Sequence, residues 1–304
     1  MTLRESPIVL IGPGKWGEAL CQTLLENLGK GHPVFRLDAE DSWDMAFRTP
    51  PLCLSAVPFE ATQSILQQLK PYKIAGLVNA SKGIDRKTLL TFTSLAKKLR
   101  APSATLSGPT FAQELAERRP TACVVASQDR AFAKSVAEIF STSFFRPYVG
   151  SDPIGVEVCG AIKNVLAIAC GISDGMNLGM NARAALLTRG LKEMEILAKQ
   201  MGGKTASVYG LAGVGDLWLT ATGDLSRNRQ FGVQLTSAKS VDEARARVTG
   251  PVEGLYTVAQ VHQIAKRKKL DLPISEQIYR ICYMQQDPKK ALHELMARKV
   301  RSES

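Results

Sequence analysis

Residues 8–17, IVLIGPGKWG, decide the fold of this 304-residue chain. Four apolar residues suited to a buried strand run directly into Gly12, Gly14 and Gly17, and an apolar pattern of helical spacing follows. A G-x-G-x-x-G loop between a strand and a helix is a dinucleotide fingerprint. Its glycines allow a tight turn, close approach of a pyrophosphate and close packing of the helix on the strand. The alternative is a glycine turn with a structural role alone.

The pattern outward from this loop alternates short apolar runs with helical segments as far as residue 150. This alternation predicts an α/β fold with a Rossmann-type, doubly wound parallel sheet. The predicted strands are residues 8–11, 34–37, 52–57, 74–79, 104–107, 121–126 and 144–149. The predicted helices between them are residues 16–28, 60–69, 86–99 and 130–140.

The pattern changes after residue 150, where apolar residues recur at spacings of three and four and strand-like runs disappear. We therefore predict a dinucleotide-binding domain of residues 1–150, an all-α substrate domain of residues 151–304, and an active site in the cleft between them. The helices predicted in the second domain are residues 154–171, 182–201, 241–247, 257–268, 275–284 and 289–298.

The net charge of +11 is compatible with nucleic acid, an anionic membrane surface or a small anionic substrate. The basic residues are scattered and only 6% of residues are aromatic, so a nucleic-acid surface is not expected. No uninterrupted apolar run approaches the ~18 residues of a membrane span. No targeting segment is visible, which predicts a cytoplasmic protein.

The six cysteines and three histidines show no spacing typical of a metal site, and we predict none. The cysteines form no CxxC pair and are expected to be buried free thiols in a reducing compartment.

Two residues near the end of the second predicted strand are alternative candidates for the residue that distinguishes NAD from NADP. Asp38 stands 21 residues after Gly17, where a carboxylate accepts hydrogen bonds from ribose hydroxyls and favours NAD. Arg36 lies two residues earlier, on the same face of a regular strand, and is suited to a 2′-phosphate. A plain turn carboxylate is the alternative for Asp38.

Polar groups also stand directly after strands or inside apolar helices. NASKG (residues 79–83) and SGPT (residues 107–110) follow the fourth and fifth predicted strands, where ligands bind in open α/β sheets. Lys163 lies in an apolar helix, where an unpaired ammonium is costly to bury. SRNR (residues 226–229) offers a guanidinium fork and an amide to a phosphate, although a helix-capping loop has the same composition.

Seven blocks together resemble the bacterial NAD(P)-dependent glycerol-3-phosphate dehydrogenases. In family order they are IGPGKWG, ASKGI, SGPTFAQE, GVEVCGAIKNVLAIACGISDGMNLGMNARAALLTRGL, GLAGVGDLWLT, SRNRQFG and VEGLYT. The resemblance implies interconversion of sn-glycerol 3-phosphate and dihydroxyacetone phosphate with NAD or NADP, supplying the backbone of glycerophospholipids. The sequence does not determine the oligomeric state. A homodimer is one possible assembly.

The resemblance also implies a role for individual residues, with Lys163 as the proton donor and acceptor. The implied contacts to the small phosphorylated substrate are Lys82, Gly108, Thr110, Lys163, Asp216, Ser226, Arg227 and Asn228. The implied contacts to the cofactor are Gly12, Gly14, Lys15, Trp16, Gly17, Asp38, Lys82, Ala112, Arg227 and Glu253.

The chain departs from the family between Asp38 and Leu52, where it has 13 residues and the family usually has an additional strand and helix. This departure leaves the choice between NAD and NADP open. It also motivates a rival hypothesis, a non-catalytic dinucleotide-binding sensor. A second rival is a dehydrogenase of the same architecture that acts on a β-hydroxy acid.

Overall fold

The computed structural model describes residues 2–38 and 41–299. Contacts between residues group the chain into two compact units. The first comprises Met1–Gly160 with Ala198–Asp216, and the second comprises Ala161–Leu197 with Leu217–Ser304. The domain boundary near residue 150 stays a prediction.

The first unit is built on a seven-stranded sheet. In sheet order, its strands are β2 (Val34–Leu37), β1 (Ile8–Ile11), β3 (Leu52–Ser55), β4 (Gly76–Asn79), β5 (Ser103–Ser107), β6 (Thr121–Ala126) and β7 (Phe145–Gly150). Its helices are α1 (Lys15–Leu28), α2 (Thr62–Leu69), α3 (Phe92–Ala96), α4 (Ala112–Ala116) and α5 (Arg130–Phe140). The predicted Rossmann-type α/β class is thereby confirmed.

Apolar side chains are buried on both faces of this sheet. In β1, Ile8 and Leu10 pack into one apolar cluster and Val9 and Ile11 into another. A strand covered on both faces reads as a continuous apolar run, which is why residues 8–11 were recognisable in the sequence.

Two sequence expectations about this unit are wrong. The pair β5 and β6 is antiparallel, because the connection between them holds only the five-residue α4 in place of a covering crossover helix. The helix expected at residues 86–99 is confined to α3. The carboxylate of Asp85 accepts hydrogen bonds from the backbone N–H groups of Lys87 and Thr88, and this turn competes with a helical start.

The shortened connection after β2 changes the edge of the sheet. Rossmann sheets have the strand order 3-2-1-4-5-6. Without the third strand, and with the remaining strands renumbered, this order becomes 2-1-3-4-5, which is the order of the first five of the seven strands here. The connection carries one short 3-10 helix, Asp44–Phe47. Trp43 stacks on Phe47 with ring centroids 5.6 Å apart, and the Tyr72 hydroxyl donates to Asp44 at 2.8 Å. As a result, β2 is an edge strand and its connection packs as an aromatic cluster.

The chain beyond β7 is helical in the part that the structure describes, as predicted. The helices are α6 (Pro153–Gly175), α7 (Gly179–Gln200), α8 (Thr205–Val208), α9 (Asp216–Thr222), α10 (Arg227–Gln234), α11 (Val241–Ala246), α12 (Glu253–Lys268), α13 (Pro273–Met284) and α14 (Pro288–Met296). Among the described helices, α6 alone has the length and apolar composition of a membrane span. Inside the protein, 94% of its most apolar stretch is buried, as in a core helix.

Candidate active site

The glycine loop has the geometry that a dinucleotide requires. Gly12 has φ +86°, and a Cβ there would lie 2.9 Å from Val57 Cγ1. A Cβ on Gly17 would lie 2.5 Å from the carbonyl oxygen of Gly12, so helix and strand pack too closely for a side chain. Gly14 has open space within 4 Å of its Cβ position and forms the N-cap of α1, next to the exposed Lys15. The residues therefore fit a pyrophosphate resting on the start of α1.

Trp16 ties the glycine loop to the segment after β4. Its indole N–H donates to the carbonyl oxygen of Ala80 at 3.0 Å. The Ser81 hydroxyl donates to the carbonyl oxygen of Val57 at 2.6 Å, and the Asn79 amide donates to the carbonyl oxygen of Ser81 at 2.9 Å. These bonds fix the backbone directly before Lys82.

Lys82 is paired with a buried acid. Its ammonium lies 2.5 Å from Asp216 Oδ2 and donates to the carbonyl oxygen of Gly108 at 3.3 Å. The Asp216 side chain is 1% exposed. The Thr110 hydroxyl donates to the same carbonyl oxygen at 3.2 Å, whereas Ala112 begins the short helix α4. The first unit thus brings together Lys82, Gly108, Thr110 and Asp216.

A tight turn places Asp216. Residues Leu211–Gly215 form one turn of π-helix directly before it, an uncommon conformation that is frequent at functional sites. A Cβ on Gly213 would lie 1.9 Å from the carbonyl oxygen of Val208, so the turn closes only because this residue is glycine.

The second unit holds Lys163 in a buried position. Lys163 is 7% exposed, and its ammonium donates to the hydroxyl oxygen of Thr220 at 2.7 Å. Thr220 is 4% exposed. This buried hydrogen bond contrasts with a snorkelling lysine, whose ammonium extends into water.

A chain of amide hydrogen bonds surrounds Asn164, the residue after Lys163. The Asn164 amide donates to Glu253 Oε2 at 3.2 Å, and the Asn228 amide donates to Asn164 Oδ1 at 2.9 Å. The backbone N–H of Gly254 donates to Asn228 Oδ1 at 2.9 Å. A Cβ on Gly254 would lie 2.6 Å from the carbonyl oxygen of Asn164, so glycine allows this close approach of α12 to α6.

Around the start of α10, Ser226 and Arg229 form contacts within the protein, whereas Arg227 is available to bind a ligand. The Ser226 hydroxyl accepts from the N–H of Arg229 and caps the helix. Arg229 is bound to Asp174 at 2.7 Å and to Asp224 at 2.8 Å. Arg227 is exposed and has no hydrogen bond or ion pair with any residue that the structure describes. Arg227 is the first residue of α10, so its positive charge and the dipole of the helix N-terminus both favour an anion in this region.

Arg36 and Asp38, the two candidates for distinguishing NAD from NADP, have different surroundings. The Arg36 Nε donates to Glu18 Oε1 of α1 at 2.7 Å. Asp38 is exposed at the end of β2, and its backbone N–H donates to the Asp41 carboxylate at 2.6 Å. Residues 39 and 40 lie outside the described part of the chain.

Two buried carboxyl groups, those of Glu157 and Glu193, have raised pKa values. Burial raises the pKa of Glu157, although the hydroxyls of Thr105 and Thr93 donate to its carboxyl. Burial also raises the pKa of Glu193 to about 7, against the favourable effect of hydrogen bonds from Ser275 and the backbone of Ile274 at the start of α13.

The cysteines are buried free thiols, as expected. Burial raises the pKa of Cys170 and Cys282 to about 12, which leaves them without thiolate character at neutral pH.

Sequence reasoning missed Thr220 and Asn164. Thr220 lies four residues after Asp216, one helical turn along the GVGDLWLT block, and Asn164 directly follows Lys163. The sequence shows that Thr220 lies one helical turn after Asp216. It does not show that Thr220 accepts a hydrogen bond from Lys163, because that contact depends on the fold.

Comparisons with known proteins cover nearly the whole chain. Residues 34–133 match the N-terminal family NAD-dependent glycerol-3-phosphate dehydrogenase, and residues 152–293 match its C-terminal counterpart. Glycerol-3-phosphate dehydrogenase (NAD(P)+) of Syntrophobacter fumaroxidans is 37% identical, over 98% of this chain and 97% of the relative. The crystal structure of glycerol-3-phosphate dehydrogenase from Coxiella burnetii is 36% identical with a TM-score of 0.87, covering 97% of this chain and 100% of that one.

The alignment with the Syntrophobacter protein extends over 333 positions, more than the 304 residues of this chain. The relative therefore has residues where this chain has none.

Proposed function

This chain belongs to the NAD(P)-dependent glycerol-3-phosphate dehydrogenase family, and we propose that it reduces dihydroxyacetone phosphate to sn-glycerol 3-phosphate and catalyses the reverse reaction. The observation that carries this proposal concerns two side chains. The buried ammonium of Lys163 donates to the hydroxyl oxygen of Thr220, and Arg227 has no hydrogen bond or ion pair with a described residue. A proton donor and a phosphate ligand are the two groups that this reaction asks of the protein. The product is the backbone of glycerophospholipids.

Lys163 acts as general acid in the reduction. The carbonyl oxygen of the substrate becomes an alkoxide as the ketone is reduced, and the ammonium of Lys163 donates a proton to it. Thr220 accepts a hydrogen bond from the same ammonium at 2.7 Å and thereby orients it. In the oxidation direction the neutral amine of Lys163 takes the proton back.

Arg227 and the start of α10 hold the phosphate. The guanidinium presents a planar fork of N–H donors, and the helix N-terminus adds a positive partial charge. The Ser226 oxygen already accepts from the Arg229 N–H, which leaves its O–H to donate to a phosphate oxygen. Asn228 positions this region through Asn164 and the N–H of Gly254.

Lys82 and Asp216 position the polar groups of the glycerol moiety. The ion pair of 2.5 Å holds the Lys82 ammonium beside the carbonyl oxygen of Gly108, and Thr110 supplies a hydroxyl at the same place. Removing either partner of a buried pair leaves an uncompensated charge, so each residue depends on the other.

The residues that would hold the dinucleotide are Gly12, Gly14, Lys15, Trp16, Gly17, Asp38, Lys82, Ala112, Arg227 and Glu253. When bound, the nicotinamide supplies the hydride in one direction and accepts it in the other. The open face of Gly14 supports pyrophosphate binding at the start of α1. Asp38 is exposed, as a ribose ligand must be.

We further propose that the enzyme works in the cytoplasm as a homodimer. The six buried free thiols support a reducing compartment. Light scattering of the purified protein measures the assembly: the dimer predicts twice the chain mass of 33.0 kDa.

A substrate panel tests the proposed function. Purified protein is assayed for NADH and NADPH oxidation with dihydroxyacetone phosphate, unphosphorylated dihydroxyacetone and a β-keto acid. We expect rapid turnover only with the phosphorylated ketone. Preference for the β-keto acid would support the rival dehydrogenase, and absence of turnover with tight cofactor binding would support the sensor.

A further inference from the structure

Arg36 forms an ion pair with Glu18, a residue of helix α1, which begins directly after the glycine loop. Its Nε donates to Glu18 Oε1 at 2.7 Å, and the two side chains are 44% and 30% exposed. Arg36 lies on the edge strand β2, two residues before Asp38. The pair therefore sits beside the end of β2, where Rossmann folds distinguish a ribose hydroxyl from a 2′-phosphate.

The chemistry of the two cofactors makes this pair consequential. A 2′-phosphate is bound best by a guanidinium that can form two parallel hydrogen bonds, and it is repelled by carboxylates. In this chain the guanidinium is already bound to a carboxylate, and Asp38 adds a second carboxylate nearby in sequence.

We propose that Glu18 is a specificity-determining residue, which holds Arg36 and makes the 2′-phosphate of NADPH compete for it. The ribose of NADH carries no such phosphate and does not require Arg36. The proposal rests on the proposed function in one respect, that the dinucleotide binds at the glycine loop.

The exposure of the pair sets the size of the effect. Breaking an exposed ion pair changes the equilibrium constant of a process that requires the break by about twofold to fivefold. Removing the Glu18 charge also removes its direct repulsion of the phosphate. We therefore expect a change of about three- to tenfold in the affinity for NADPH, with NADH affected less than about twofold.

The test compares Glu18→Gln with a matched change on the same helix. Glu26 of α1 also forms an exposed ion pair, with Arg118, so Glu26→Gln removes the same charge and the same kind of contact. Dissociation constants for NADH and NADPH are measured from nicotinamide fluorescence without substrate. The variants Arg36→Gln and Glu18→Gln/Arg36→Gln complete the cycle.

Glu18→Gln is expected to tighten NADPH binding, and Glu26→Gln to leave the ratio of the two dissociation constants unchanged. The gain should be smaller in the Arg36→Gln background, because the part that comes from the released guanidinium is lost and only the relief of direct repulsion remains. An unchanged ratio in Glu18→Gln overturns the proposal, and so does an equal gain with and without Arg36. Because binding is read without turnover, loss of activity with dihydroxyacetone phosphate would contradict the proposed function alone.

Discussion

The ammonium of Lys163 lies 2.7 Å from the hydroxyl oxygen of Thr220, and both side chains are buried. Replacing Thr220 with valine keeps the shape of the side chain and removes the hydrogen bond. A hydrogen bond to a charged group is worth about 1.5–3 kcal/mol, so we expect kcat to fall about 10- to 100-fold. Steady-state kinetics should show KM for dihydroxyacetone phosphate changing much less than kcat. Thr220→Ser retains the hydroxyl and should recover most of the rate; equal losses in both variants would show that the hydroxyl does not matter.

Arg227 and Arg229 flank Asn228 and are expected to respond differently to the same substitution. Arg227→Lys loses the planar fork, so kcat/KM should fall for dihydroxyacetone phosphate and stay nearly constant for unphosphorylated dihydroxyacetone. Arg229 is bound to Asp174 and Asp224, and Arg229→Lys should lower the Tm. Equal losses of Arg227→Lys on both substrates would remove Arg227 from the phosphate.

The carboxyl of Glu193 makes folding stability depend on pH. Its folded pKa of about 7 lies above the ordinary value of 4.5, because burial disfavours the charged form. The folded state therefore holds a proton that the unfolded state has lost, and stability falls as pH rises from about 4.5 to 7, by about 3 kcal/mol at most. Glu193→Gln mimics the protonated carboxyl. Urea unfolding at several pH values should show a flatter slope in that window than wild type, and an unchanged slope would contradict this account.

Local sequence patterns predicted the glycine loop and several strands, because each depends on neighbouring residues. Val34–Leu37 and Thr121–Ala126 have the predicted bounds. The failures depend on contacts distant in sequence or on side-chain competition. The helix expected at residues 86–99 is replaced at its start by the turn on Asp85, and the antiparallel β5–β6 pair depends on how far a short connection can reach.

The candidate site shows the same division. Sequence blocks identified Lys163 and Arg227 as residues of interest. The tie between Arg36 and Glu18 joins residues 18 positions apart on different elements, and no local pattern reports it. Likewise, the sequence does not distinguish Arg227 from Arg229. In the structure Arg229 forms ion pairs with Asp174 and Asp224, whereas Arg227 has none with a described residue.

The rate of NADH or NADPH oxidation with dihydroxyacetone phosphate, compared between wild type and Lys163→Met, tests the central claim most directly. Methionine keeps much of the side-chain length and removes the proton donor, and general acid catalysis is worth about 10²- to 10⁴-fold in rate. We expect kcat to fall by at least about 100-fold while the Kd for the cofactor and the Tm stay close to wild type. A folded Lys163→Met protein with near-wild-type turnover would contradict the assignment of Lys163 as the proton donor.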